Sequence, residues 1–261
     1  MLTIKKYVRA ASLDEAYDLN QKRTNRVIGG MLWLKMSSGT VQTAIDLSGL
    51  GLDTVEETDE EFSIGAMVTL RELELHEGLN AYTGGALRES LRHIVGVQFR
   101  NLATVGGSLY GRFGFSDVLT CFLGLDAVVE LHHAGMVPIA EFAAQKPDRD
   151  ILVRIHVKKT PLRCAYLSQR NTRTDFPVLA CMVSEWGGSL RVSVGARPQK
   201  AVLLQLPQQL TLAAASPEEI AAYVQEHTAT GTNMRASAEY RSRLAYVLTK
   251  RACQQIGGMD K

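Results

Sequence analysis

The chain has 261 residues, 46% of them hydrophobic, and its 29 basic against 27 acidic side chains give a net charge of +2. That near balance, without any basic run and with little aromatic interleaving, argues against nucleic-acid binding. No apolar stretch reaches the ~18–20 residues that span a bilayer, and Met1-Leu2-Thr3-Ile4-Lys5-Lys6-Tyr7 lacks the apolar core of a signal peptide, so a cytoplasmic location is expected.

The four cysteines, Cys121, Cys164, Cys181 and Cys253, include no pair at the two-residue spacing of zinc or iron–sulfur sites. No metal or cluster held by this chain alone is expected.

In chain order, Ser12-Leu13-Asp14-Glu15 has capping-box spacing and opens a short helix to about Gln21. Val27-Ile28 forms a short strand running into Gly29-Gly30, followed by the apolar run Met31 to Met36, and Thr43 to Leu47 reads as a second strand. These make a small α/β unit over roughly residues 1–55. Phe62 to Ala66 alternates as a strand, and Thr69-Leu70-Arg71-Glu72 is a second capping box, with its helix ending near Gly78. Ala86 to Val95 has a helical period, with Gly84-Gly85 before it read as a loop. Val118 to Leu125 is apolar enough for a buried helix. Ala127 to Leu131 and Ile151 to Val157 read as strands, while 141–150 is short and polar. His132-His133 is expected at a solvated strand end, with the two rings on opposite faces.

From Leu162 the pattern changes. Cys164–Ser168, Val178–Trp186 and Leu190–Ala196 are three strands, the last two joined by a Gly187-Gly188 hairpin turn. Ser216-Pro217-Glu218-Glu219 caps a helix, and Ser237 to Ile256 is a long amphipathic one. Strands followed by helices indicate a separate α+β unit.

Arg100 to Asp117 is the most distinctive stretch. Within it, Thr104-Val105-Gly106-Gly107-Ser108 has the chemistry of a phosphate cradle. Two residues without Cβ allow close backbone approach, and flanking hydroxyls add donors. A plain Gly-Gly turn is the competing reading. Neither this stretch nor Gly29-Gly30 fits the dinucleotide fingerprint, because Gly29-Gly30 lacks the third glycine and the downstream acidic residue.

Val27-Ile28-Gly29-Gly30, Thr104 to Ser108 and Ser116-Asp117 together resemble the flavin-binding medium subunit of the molybdenum hydroxylases, the xanthine dehydrogenase and carbon monoxide dehydrogenase group. Ile45-Asp46-Leu47, Ile64-Gly65-Ala66, Arg100 to Thr104, Leu125-Asp126-Ala127 and Ser237 to Arg241 follow in the same order and spacing, so the resemblance covers nearly the whole chain. It implies an α/β FAD-binding domain over 1–158, in two subdomains of about 1–55 and 56–158. A small C-terminal α+β domain of antiparallel sheet and helices follows over 159–261.

The resemblance further implies FAD as cofactor, held by Val27, Ile28, Gly29, Gly30, Met31, Leu32 and Trp33 in the first loop and by Thr104, Gly106, Gly107 and Ser108 in the second. Asp117 is expected by the ADP ribose, Leu152 at the adenine side and Tyr110 against the isoalloxazine. An extended path from Gly107 would carry Tyr110 roughly 10 Å onward. The chain departs from the family in having Met31-Leu32 where a hydroxyl and a polar residue are usual, and Arg170 in a strand that often carries Lys.

The implied activity is an oxidoreductase subunit that relays electrons from a partner's iron–sulfur clusters through FAD to NAD or another acceptor. A further partner would carry the molybdenum cofactor, and no catalytic acid or base is expected in this chain. Two alternatives stand beside it: a non-catalytic assembly subunit that has lost FAD, and a stand-alone FAD-dependent reductase of the cell-wall precursor type.

Overall fold

The structure, a computed structural model, describes residues 1–258. In chain order its elements are β1 (Leu2–Arg9), α1 (Leu13–Asn20), β2 (Arg26–Ile28), β3 (Gly39–Asp46), β4 (Val55–Glu57) and β5 (Glu61–Gly65). Five short helices and a sixth follow: α2 (Leu70–Leu75), α3 (Glu77–Tyr82), α4 (Ala86–Leu91), α5 (Val97–Arg100), α6 (Val105–Tyr110) and α7 (Asp117–Leu123). Then come β6 (Ala127–Leu131), β7 (Gly135–Pro138), α8 (Ile139–Ala144) and β8 (Leu152–Lys158). The chain ends with β9 (Arg163–Arg170), β10 (Pro177–Trp186), β11 (Ser189–Gly195), β12 (Val202–Gln205), α9 (Pro217–His227) and α10 (Ala238–Gly257).

Two compact units result. The first comprises Met1–Leu73, Val97–Gly111 and Ala127–Val157; the second comprises Glu74–Gly96, Arg112–Asp126 and Lys158–Lys261. Segments 74–96 and 112–126, which the sequence reading assigns to the first domain, therefore pack with the C-terminal part. Their helices α4 and α7 lie against β9, β10 and β11.

The first unit holds a three-stranded parallel sheet, ordered β1-β3-β2, and a five-stranded sheet, ordered β4-β5-β8-β6-β7. Ala10, Ala16, Ile45 and Leu47 from the first share one core with Leu52, Ile151 and Val153. Helix α1 forms where its capping signal places it: Ser12 Oγ accepts the Glu15 amide at 3.1 Å, and the Glu15 carboxylate accepts the Ala11 amide at 2.7 Å.

Strand β1 leaves no signal in the sequence. Six of its eight residues are exposed and the other two half-buried, so it has no buried alternation, only backbone pairing to β3. Its Lys5 and Lys6 lie on a sheet edge, where lysine discourages further pairing.

Three other expectations change. The helix from Ala86 stops at Leu91, and Val95 takes φ 50 in the turn beyond it. The polar 141–150 segment contains most of α8, whose Ile139, Phe142 and Ala143 are buried. His132 and His133 lie past the end of β6, and the turn brings both rings to Tyr17, at centroid distances of 5.9 and 3.7 Å. The opposite-face rule applies only inside a strand. Among the described residues, no group of three or more His, Cys, Asp or Glu is placed to hold a metal ion.

The second unit is built on the antiparallel meander β12-β11-β10-β9. The β10–β11 turn has Gly187 and Gly188 at φ 57 and 70, the left-handed pair that a two-residue hairpin requires. Helix α9 carries a complete capping box between Ser216 and Glu219. Helix α10 buries Arg241, whose guanidinium donates to the Val178, Gly231 and Ala236 carbonyls and to Asn233 Oδ1 at 2.6–2.9 Å. Burial pushes the thiols of Cys121, Cys181 and Cys253 up to about 12, so they behave as small apolar side chains.

Candidate functional site

The candidate site lies in the first unit, where β2 ends. Parallel strands present ligands at their carboxyl ends, and β2, paired in parallel with β3, delivers the chain at that end into Gly29-Gly30. The loop is held by direct contact with residues 102–104. A Cβ on Gly29 would stand 2.6 Å from Thr104 Oγ1, and one on Gly30 would stand 1.9 Å from the Leu102 carbonyl oxygen. Gly29 is needed for packing on the Thr104 side chain and Gly30 for packing on the backbone of Leu102 and Ala103.

Among the described residues, no acceptor takes the amides of Gly29, Gly30, Met31 or Leu32. Four successive donors are thus left on a partly exposed turn. Met31 adopts φ 57, and a left-handed residue after right-handed or extended ones draws successive amides toward one concave point. The loop then closes through the Lys35 amide, which donates to the Met31 carbonyl at 2.9 Å.

The second glycine pair is arranged differently. It forms the first turn of α6, with Thr104 as N-cap. The Val105 amide donates to Val68 O and the Gly106 amide to Ala66 O, both at 2.9 Å. The Gly107 amide donates to Thr104 Oγ1 at 3.2 Å and the Ser108 amide to Thr104 O at 3.1 Å. All four leading donors of the helix are spent inside the protein. Gly106 is required by packing, since its Cβ would lie 2.6 Å from Ala66 O. Gly107 is not: it is exposed, and a Cβ there would meet only Thr104 Oγ1, at 3.1 Å. The two loops adjoin through Thr104, but only the first has a run of amides without acceptors among the described residues, while the second offers exposed backbone at Gly107.

The remaining candidates separate. Val27 and Ile28 are in β2 and set the loop's position. Trp33 is no core residue: it is 39% exposed and meets Phe99 edge-on at 6.0 Å. Ser108 Oγ donates to Thr104 O at 2.9 Å. The extended path expected from Gly107 to Tyr110 is not formed, because 105–110 are helical and the rise is ~1.5 Å per residue. The Tyr110 hydroxyl donates to Asp148 Oδ1 at 2.5 Å and its ring lies 6.1 Å from Phe142. Leu152 opens β8, is 5% exposed, and faces Leu131 across the ladder.

Asp117 belongs to the second unit, where it follows the cap Ser116 at the start of α7. Its carboxylate accepts from the Tyr166 hydroxyl and from Arg170 Nη2, both at 2.5 Å. Burial raises its pKa, and Arg170 opposes the rise. Burial and the neighbouring Asp117 raise Tyr166 as well. Arg170 also donates to the Asp175 carbonyl at 2.6 Å, so its charge serves Asp117 and a loop. The sequence offered no sign of this pairing, which joins residues 53 apart.

A loop with four amides that lack acceptors, pinned by glycines and without a carboxylate of its own, has the chemistry of an anion site on a protein of mixed α/β build. Residues 2–159 match the family described as "FAD binding domain in molybdopterin dehydrogenase", and the chain belongs to that family, with FAD as its cofactor.

The chain is 25% identical over 265 aligned positions to the uncharacterized protein YgfM of Escherichia coli K12, covering 97% of this chain and 98% of that protein. Among solved structures it resembles the reconstituted CO dehydrogenase from Oligotropha carboxidovorans, with a TM-score of 0.83, 23% identity and 98% coverage of each chain. It also resembles quinoline 2-oxidoreductase from Pseudomonas putida 86, with a TM-score of 0.82, 18% identity, and 99% and 97% coverage. The fold expected from the resemblance is therefore the fold observed. Among the described residues no helix is long and apolar enough to cross a membrane.

Proposed function

We propose that this FAD-binding subunit relays electrons within a complex of xanthine dehydrogenase or carbon monoxide dehydrogenase type. In this reading one partner subunit carries iron–sulfur clusters, another the molybdenum cofactor, and NAD or another acceptor takes the electrons. The observation that carries the reading is the run of unpaired amides over Gly29 to Leu32, in a chain that matches the family over residues 2–159.

When bound, FAD supplies the redox chemistry, exchanging electrons singly with clusters and in pairs with the acceptor. The chain's own residues bind and orient. The amides of Gly29, Gly30, Met31 and Leu32 would hold the pyrophosphate, and Gly107 would leave clearance for its approach. Thr104 caps α6 and fixes Gly107 at 3.2 Å from its hydroxyl. Such a relay asks no acid or base of this chain. Its four cysteines are all buried, which leaves cluster ligation to a partner.

The reading is tested on the isolated chain. Loaded with FAD, it is expected to reduce an artificial dye from NADH at the slow rate of a bare flavoprotein, and to leave purines and aldehydes unoxidised. Oxidation of a purine or aldehyde by this polypeptide alone, with no metal present, would contradict the subunit reading.

A further inference from the structure

Met31 is neither glycine nor asparagine, yet its φ is 57. L-residues avoid this region because Cβ crowds the following carbonyl. The residues around it leave the chain little choice. Gly29 and Gly30 are fixed against Thr104 and Leu102, and the Met31 carbonyl is taken by the Lys35 amide at 2.9 Å. A left-handed residue in such a turn is the conformation from which successive amides can be gathered around one anion, and here it lies between Gly30 and Leu32, whose amides have no acceptor among the described residues.

Strained backbone that the surroundings impose is characteristic of ligand clamps. Here the strain lies among the amides of residues 29–32, which have no acceptor among the described residues, whereas the four leading amides of α6 have acceptors of their own.

We propose that Met31 is a positioning residue: its left-handed backbone keeps the amides of residues 29–32 convergent on the diphosphate. Affinity for FAD then follows the ease with which residue 31 adopts positive φ, and not the polarity of its side chain. The missing hydroxyl at position 31 is therefore no defect of the site. The proposal rests on the reading of the first loop as the pyrophosphate grip.

The test uses the full chain stripped of flavin, with Met31→Gly, Met31→Asn and Met31→Val variants. Each is titrated with FAD by fluorescence quenching and melted without FAD. Glycine and asparagine tolerate positive φ, whereas a β-branched residue there is an outlier. Met31→Gly and Met31→Asn are expected to bind FAD within about threefold of the parent, and Met31→Val about tenfold more weakly, because a depopulated binding-competent loop lowers apparent affinity in proportion. Equal affinity in all three variants would overturn the proposal, as would glycine and asparagine weakening as much as valine.

Should Met31→Val fail to fold, hydrogen exchange on the parent decides. Amides 29–32 are expected to exchange fast without FAD and slowly with it, while 105–108 are slow in both states. FAD binding without protection at 29–32 overturns the proposal. A parent chain that binds no FAD at all would instead remove the first-loop reading on which it rests.

Discussion

Replacing Gly107 by valine should separate folding from cofactor binding. The position is exposed, and a Cβ there would meet only Thr104 Oγ1, at 3.1 Å. That contact needs a shift of a few tenths of an ångström by a threonine whose hydroxyl is already the helix cap. Glycine in a helix is itself unfavourable, by about 1 kcal/mol against alanine, and valine recovers roughly half of that. Stability without FAD should therefore stay within about 1 kcal/mol of the parent, a change of a few degrees or less in Tm at this size.

Binding should respond very differently. Bare backbone at Gly107 adjoins the first loop, and an isopropyl group would displace a diphosphate seated on the 29–32 amides. Hydrogen bonds to charged groups contribute ~1.5–3 kcal/mol each, so losing two of them weakens binding by about two orders of magnitude or more. The assay is FAD titration by fluorescence quenching, alongside thermal melts of the flavin-free protein. Gly107→Val that melts like the parent and binds FAD with unchanged affinity would show that the second loop is not on the cofactor's path.

Two further predictions concern the structure around these sites. Thr104→Ala removes the cap that receives the Gly107 amide at 3.2 Å, and should cost about 1 kcal/mol in chemical denaturation, the usual effect of losing an N-cap. Arg170→Met leaves the buried Asp117 carboxylate without its counter-charge and should destabilise by about 3–5 kcal/mol at neutral pH. Asp117 already has a raised pKa, through burial, and removing Arg170 raises it further. Stability linked to a raised carboxylate pKa is present below the unfolded value and lost as pH rises through the folded one. The Arg170→Met deficit should therefore shrink as pH falls from neutral toward the raised Asp117 value; a deficit independent of pH in denaturation series would contradict this.

The site's elements were legible in the sequence where local chemistry sets them. Ser12, Thr69 and Ser216 announce their helices because capping is decided within four residues, and Gly187-Gly188 announces its hairpin for the same reason. Gly29-Gly30 and Gly106-Gly107 stand out because a residue without Cβ is conspicuous. What each glycine is for was not legible. Gly30 and Gly106 make room for the carbonyls of Leu102 and Ala66, contacts between distant segments that no local pattern encodes. The amides of 105–108 looked like donors for a ligand until the Val68 and Ala66 carbonyls were seen to take two of them. Strand β1 was invisible because its residues are mostly exposed, and the extended path expected from Gly107 to Tyr110 fails because the glycine pair begins a helix.

The central claim is that this chain carries FAD as a flavoprotein subunit, and the most direct measurement is the ligand released from the purified protein. Gentle denaturation followed by mass spectrometry should yield FAD, at close to one per chain, from a yellow protein with the flavin absorption bands. A colourless, correctly folded protein that releases no flavin, and takes up none when FAD is added, would contradict the account.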